Sequence, residues 1–168
     1  LVKKKPNIMF YPTGNELSEK KKIPNWKIRN SNSIYLNSFL KNIPINFKIK
    51  KILRDQDLNS FREEIKKNIK LNSDVVITSG AVSAGKFDFI PNVIKQFNLK
   101  SYFKGVAIRP GKPLLFAKFK NNMCFFGLPG NPISTVACFR FFVLPLLFKS
   151  LDLTTEKPII AKLKKNFS

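Results

Sequence analysis

The chain carries ten carboxylates and no histidine. Imidazole chemistry is therefore excluded, and a hard cation would have to be held by a small set of oxygens. Glu16, Asp55, Asp57, Asp74 and Asp88 stand at or near turns that flank apolar strand candidates. Glu63 and Glu64 sit among lysines on a face expected to be solvated, and Glu19, Asp152 and Glu156 lie in polar connecting stretches. Asp88 closes a stretch, residues 74–88, that contains Thr78, Ser79, Gly80, Ser83 and Gly85. Small residues so spaced let backbone N–H groups turn toward one point and hold an anion. At the mouth of that turn Asp88 either neutralises a metal ion shared with a phosphate or caps the next helix. Glu16 follows the turn of Pro12, Thr13, Gly14 and Asn15, where it is either a solvent-facing loop acid or an acid beside a strand end. Asp55 and Asp57 offer one helix N-cap, with a functional acid as the alternative.

Two further stretches suit anions. Arg109 and Lys112 project from a turn stiffened by Pro110 and Pro113 and relieved by Gly111, a cationic arrangement that fits phosphate. After Pro129 and Gly130, Asn131 can cap a helix whose first position is Pro132. That helix start offers N–H groups and a partial positive charge.

The elements that must position these residues follow from periodicity. Val75, Val76 and Ile77 form a short β-branched run, the signature of a buried strand in a parallel sheet. Strand, glycine-bearing turn and a helix from 88 to about 97 place a ligand site at the carboxyl end of that sheet. Further strands are expected over 7–11, 45–53, 103–108, 114–119 and 123–126, with a loop over 18–27. Ile34, Tyr35, Phe39 and Leu40 predict a short helix with an Asn or Ser cap, and Leu58, Phe61, Ile65 and Ile69 a second one to about 71. A third, 133 to about 144, is apolar nearly all round, so burial is expected, with Pro145 ending or kinking it.

With 168 residues and a net charge of +21, one α/β domain over 1–150 is expected. The charge is mostly lysine dispersed from Lys3 to Lys165, rising with Asn, Ile and Phe as a bias of composition. Nucleic acid is therefore not expected as a partner. Cys124 and Cys138 have no zinc or redox spacing and read as buried free thiols of a reducing, cytoplasmic protein. The apolar stretch 133–148 is shorter than the roughly 20 residues of a membrane span and contains Arg140 and Pro145, so a core helix is expected. Leu1 is not a methionine and a strand begins almost at once, which suggests a segment of a longer polypeptide, with an alternative start codon as the other explanation. Residues 151–168 read as a linker and, over 158–163, the first strand of a truncated C-terminal β domain.

Four segments occur together in order: residues 13–17, 74–88, 108–113 and 127–134. Together they resemble the central domain of the molybdopterin molybdenumtransferase family, which includes the E domain of gephyrin. The resemblance covers about residues 5–147 and implies a three-layer α/β/α sandwich with a mostly parallel sheet. It implies binding of adenylylated molybdopterin and Mg²⁺-dependent insertion of molybdate with release of AMP, by an enzyme that is a homodimer in its full-length form. Carried over, Glu16, Asp55 and Asp88 match acids of the metal and molybdate chemistry. Thr13, Gly14, Ser79, Gly80, Ser83 and Gly85 match turns around pterin and phosphate, Lys112 a ligand-facing cation, and Pro129, Gly130, Asn131 and Pro132 the rigid turn that shapes the site. Asn15 stands where the family usually has Asp, and Ala81 replaces the second glycine of its Gly-Gly-Val-Ser, a change that is disruptive if φ there is positive. The alternatives are a stand-alone molybdopterin adenylyltransferase and a non-catalytic molybdopterin-binding or scaffold domain.

Overall fold

The computed structural model describes residues 4–55, 57–82, 89–157 and 159–162. Strands β1 (Asn7–Pro12), β2 (Leu17–Ser18), β3 (Ile28–Arg29), β4 (Asn46–Ile49), β5 (Val75–Ser79), β6 (Leu99–Lys104), β7 (Leu115–Phe119) and β8 (Cys124–Leu128) form two sheets. The main sheet has the order β4-β1-β5-β8-β7-β6, and β2 pairs with β3 beside it. β4, β1, β5 and β8 run parallel, whereas β7 and β6 are added antiparallel at the edge. The chain goes from β1 out to β4, then crosses β1 to β5 and continues to the other side. This reversal makes a topological switch point between the carboxyl ends of β1 and β5.

Helices cover both faces, so the α/β/α sandwich expected from the resemblance is observed. On one face α1 (Ser31–Leu40) and a long helix starting at Pro132 pack Leu36, Leu40, Cys138, Phe139, Val143 and Leu147 against Ile8, Phe10, Ile77 and Phe126. On the other, α2 (Leu58–Lys70) and α3 (Ile90–Ile94) pack Phe61, Ile65, Ile90 and Ile94 against Met9, Val76 and Phe125. The alternation along β1 and β5 is the period-2 rule at work. Phe61 is fully buried, with Phe89 and Phe125 edge-on at 5.7 and 6.1 Å; such burial is worth about 1.5–3 kcal/mol.

Several boundaries differ from the sequence reading. The strand expected over 103–108 is β6, four residues earlier, because its partner β7 fixes the register and Gly105 leaves the strand with φ 90°. The strand expected over 45–53 stops at Ile49, and Leu53 makes only a separate bridge to Thr13. The helix expected from 88 to about 97 appears as the shorter α3, which ends at Ile94; residues 83–88 lie outside the described residues. The helix beginning at Pro132 does not stop at Pro145. It runs as α4 (Pro132–Cys138), a π-helical turn (Phe139–Val143) and α5 (Leu144–Ser150). The π turn accommodates the missing N–H of Pro145. This 19-residue helix is long and apolar enough to cross a membrane by length and composition, but one side is packed on the sheet. It is not buried all round, since Ile133 and Phe141 are 70% and 64% exposed. No strand forms over the described residues 159–162, where Ile159 and Ile160 are exposed and lack a pairing partner.

Asp57 is the N-cap of α2, accepting from the N–H of Ser60. Glu64 is not a solvated acid: it accepts the Tyr11 hydroxyl at 2.9 Å, and Asn68 donates to Tyr11 Oη at 2.8 Å. Burial, reinforced by Glu64, pushes the Tyr11 phenol well above its ordinary value of 10.0. Burial opposes charge on Glu64, but the hydrogen bonds from Lys67 and Tyr11 outweigh it and hold this carboxyl low. A raised folded pKa stabilises below the unfolded pKa and loses that contribution as pH climbs past it. Tyr11→Phe should therefore lose about 1–2 kcal/mol in urea unfolding near neutral pH, and should lack the decline that Tyr11 contributes above pH 10.

Candidate functional site

The loops after β1, β4, β5 and β8 meet at the carboxyl edge of the parallel strands. Thr13 is buried there, its N–H and Oγ1 both donating to the Ser79 carbonyl at 3.0 and 2.9 Å. Gly14 donates to Leu53 O at 3.0 Å, and Gly80 donates to Leu128 O at 2.9 Å. Three strand ends are thus locked to one another by backbone groups. A small cavity of about 40 Å³ opens between them, with Thr13, Glu16, Ser79, Gly130 and Pro132 in its lining, and Asn30 to Asn32 of the α1 start on the other wall. Asn30 caps α1 through Ser33 N, and Asn32 Nδ2 donates to Gly130 O at 3.0 Å. The asparagines therefore combine capping with a tie between α1 and the turn after β8.

Buried Thr78 Oγ1 and Ser79 Oγ have no hydrogen-bond partner among the described residues. Ser79 lines the cavity. An orphaned buried hydroxyl costs about 1–3 kcal/mol unless water or a ligand satisfies it, so Ser79, on the cavity side of β5, marks that strand end as a place for a polar guest, whereas Thr78 faces the other side of the sheet.

Of the expected ligand contacts, Thr13, Gly14, Ser79, Gly80, Gly130, Asn131 and Pro132 gather here. Pro129 is buried behind them, its carbonyl accepting from Thr135 Oγ1. Lys112 reaches the same edge of the sheet, because β7 starts opposite Gly127, but it lies beyond β8 and is not part of the cavity lining. Its turn has a cis Arg109–Pro110 bond and packs on α4, with Cys138 Sγ donating to Gly111 O. Burial pushes the Cys138 thiol up to about 11; both cysteines are free and buried, as the sequence led one to expect. Ser83, Gly85 and Asp88 lie outside the described residues. The expectation of free N–H groups at the start of α4 needs correction, since Asn131 Oδ1 takes those of Ile133 and Ser134.

Among the acids, Glu16 is exposed on the cavity rim and Asp55 is half-buried. Among the described residues no three Asp, Glu, Cys or His groups come together as a metal cage. Asp55 is held by Asn15: the Asn15 N–H donates to Asp55 Oδ2 at 3.1 Å and the Asp55 N–H to Asn15 Oδ1 at 3.2 Å. The Asn15 side chain therefore serves as an acceptor for backbone, a role that Asp would fill equally. Ala81 has φ 53°, the positive value that the sequence reading treats as disruptive. Left-handed backbone costs a non-glycine residue about 1–2 kcal/mol. Ala81→Gly should recover about 1 kcal/mol in chemical unfolding.

The sequence reading assigns no role to Arg54. Its side chain reaches back across the β1 loop, and nothing in local periodicity signals that contact, which joins segments some forty positions apart. Beyond it lies a groove of about 760 Å³ lined by Arg54, Lys20, Lys27, Lys51 and Trp26, where Lys27 Nζ sits 4.6 Å from the centre of the Trp26 ring.

The profile of a family described as a probable molybdopterin binding domain matches residues 10–149. A molybdopterin molybdenumtransferase of Synechocystis is 35% identical over 158 residues, 92% of this chain and 40% of that protein. The molybdenum cofactor synthesis protein cinnamon of Drosophila melanogaster is 35% identical over 150 residues, 88% of this chain and 24% of its own length. The chain thus spans at most 40% of these two relatives. A molybdopterin biosynthesis MoeA protein from Pyrococcus horikoshii superposes with a TM-score of 0.72 at 29% identity, over 88% of this chain and 36% of the other. A MoaB protein from Thermus thermophilus shares the fold, with a TM-score of 0.63 at 12% identity over 89% of this chain and 99% of its own.

Proposed function

The chain belongs to the family of probable molybdopterin binding domains, and from that premise we propose that its β1/β5 crevice binds adenylylated molybdopterin as the ligand domain of a molybdopterin molybdenumtransferase. The reaction is insertion of molybdate into the dithiolene with release of AMP. The observation that carries the reading is the orphaned buried hydroxyl of Ser79, which lines the crevice at the carboxyl edge of β5. The Ser79 hydroxyl takes the polar edge of the ligand, and Thr13, Gly14, Gly80 and Gly130, whose backbone groups tie the strand ends together, shape the crevice around it. Pro129, Asn131 and Pro132 hold the turn that shapes the wall, and Lys112 supplies positive charge along the same sheet edge. Ser83, Gly85 and Asp88 are assigned to the same ligand by their place in the resemblance.

Mg²⁺ fits the donor chemistry of this rim. It is commonly bound by one or two carboxylates together with phosphate oxygens of a substrate, and Glu16 and Asp55, with Asp88, are the acids that would hold it. When bound, the cation supplies Lewis-acid polarisation of the phosphoryl oxygens. The residues themselves orient the nucleotide phosphate and keep the leaving group in place. A homodimer in the full-length form and a reducing cytosol complete the proposal, the latter in keeping with two buried free thiols.

The test is to follow AMP release from adenylylated molybdopterin in the presence of Mg²⁺, with and without molybdate. Release that depends on molybdate supports the transferase. Release without molybdate, or none from a chain that binds the ligand, contradicts catalysis by this domain.

A further inference from the structure

We infer that Arg54 is a positioning residue, holding the β1 loop in the one shape that keeps Glu16 and Asp55 on a common rim. What the two acids do rests on the proposed function; the brace itself rests on geometry alone. Arg54 Nη1 donates toward the carbonyls of Gly14 at 3.1 Å, Asn15 at 3.4 Å and Leu17 at 3.1 Å. Three carbonyl dipoles on either side of Glu16 therefore converge on one cation. Carbonyl oxygens so gathered repel one another, and a fixed guanidinium charge is what lets them face the same point.

The neighbouring residues tighten the same joint. Leu53 O receives the Gly14 N–H, and the Asn15 and Asp55 pair closes reciprocally on the far side of Arg54. Glu16 O accepts from Ile28 N at 2.8 Å, so the backbone of residues 14–17 is held by β3 on one side and by residues 53–55 on the other. The Glu16 side chain is exposed and has no hydrogen bond or ion pair of its own among the described residues. Its placement comes from this backbone, whose carbonyls on both sides of Glu16 are bonded by the Arg54 guanidinium.

Arg54→Met keeps much of the length and removes charge and donors, while Arg54→Lys restores the charge. Amide hydrogen exchange at Gly14 and Asn15 reads the brace, and calorimetric titration with adenylylated molybdopterin, with and without Mg²⁺, reads its consequence. In Arg54→Met the exchange of these amides should accelerate roughly tenfold or more, while Val76 and Ile77 in the sheet centre stay unchanged. The gain in affinity that Mg²⁺ gives should fall by about tenfold, with affinity in the absence of Mg²⁺ retained. Arg54→Lys should recover part of both. Unchanged exchange in Arg54→Met overturns the brace. Faster exchange with an unchanged Mg²⁺ effect overturns the positioning role. A wild-type chain whose binding ignores Mg²⁺ removes the role of the acids and the positioning role with it, and the exchange data then still report whether the brace exists.

Discussion

Gly80→Ala is expected to lower the unfolding free energy by roughly 2–4 kcal/mol, combining backbone strain with overpacking. Gly80 has φ 105°, and a Cβ there would lie 2.7 Å from Thr13 Oγ1 and 2.8 Å from the Thr13 carbonyl oxygen. One of those atoms is backbone and cannot swing aside. Thr13 in turn is tied to Ser79 by both its N–H and its hydroxyl, so relief of the clash parts β1 from β5 at the switch point. The same substitution should therefore weaken ligand binding as well as stability. Urea unfolding measures the first effect, and a loss under about 0.5 kcal/mol would show that the two strand ends are not packed as described. Ala81→Gly, one residue on, should move in the opposite direction, because it relieves positive φ at 81, whereas position 80 carries both positive φ and the close approach of Thr13.

Replacing Glu16 with Gln and Asp55 with Asn together should reduce Mg²⁺-dependent binding of adenylylated molybdopterin about 10–100-fold, the cost of withdrawing charged oxygens from a hard cation. Stability should change little. Glu16 is exposed, and an Asn at 55 still presents an oxygen to the Asn15 N–H. Equal binding by the double variant and the wild type would leave the acids as loop residues. A large fall in thermal midpoint instead would assign them to the joint with Asn15.

Much of this site is legible in the residues themselves. The β-branched run before Ser79 gives β5, the amphipathic repeat of Phe61 and Ile65 gives α2, and Asn131 followed by Pro132 marks the start of α4. Each is a local pattern with one physical solution. What was not legible depends on partners far along the chain. β6 tolerates Lys100 and Lys104 because it is an exposed edge strand, so its apolar signal is weak and the richer run after it misleads. Pro145 argues for a helix end, yet a π turn lets the helix pass it. The choice of Asp57 over Asp55 as cap is likewise tertiary, since Asp55 is already engaged by Asn15. The sign of φ at Ala81 has no trace in the sequence, and neither has the convergence of three carbonyls on Arg54.

The measurement closest to the central claim is calorimetric titration of the folded chain with adenylylated molybdopterin, in wild type and in Ser79→Val. The crevice predicts saturable binding at one site per chain and a loss of about 1–3 kcal/mol in Ser79→Val, whose side chain cannot meet a polar ligand group. Wild-type affinity in Ser79→Val, or no binding by a folded wild-type chain, would contradict the assignment of the ligand to the carboxyl edge of β5.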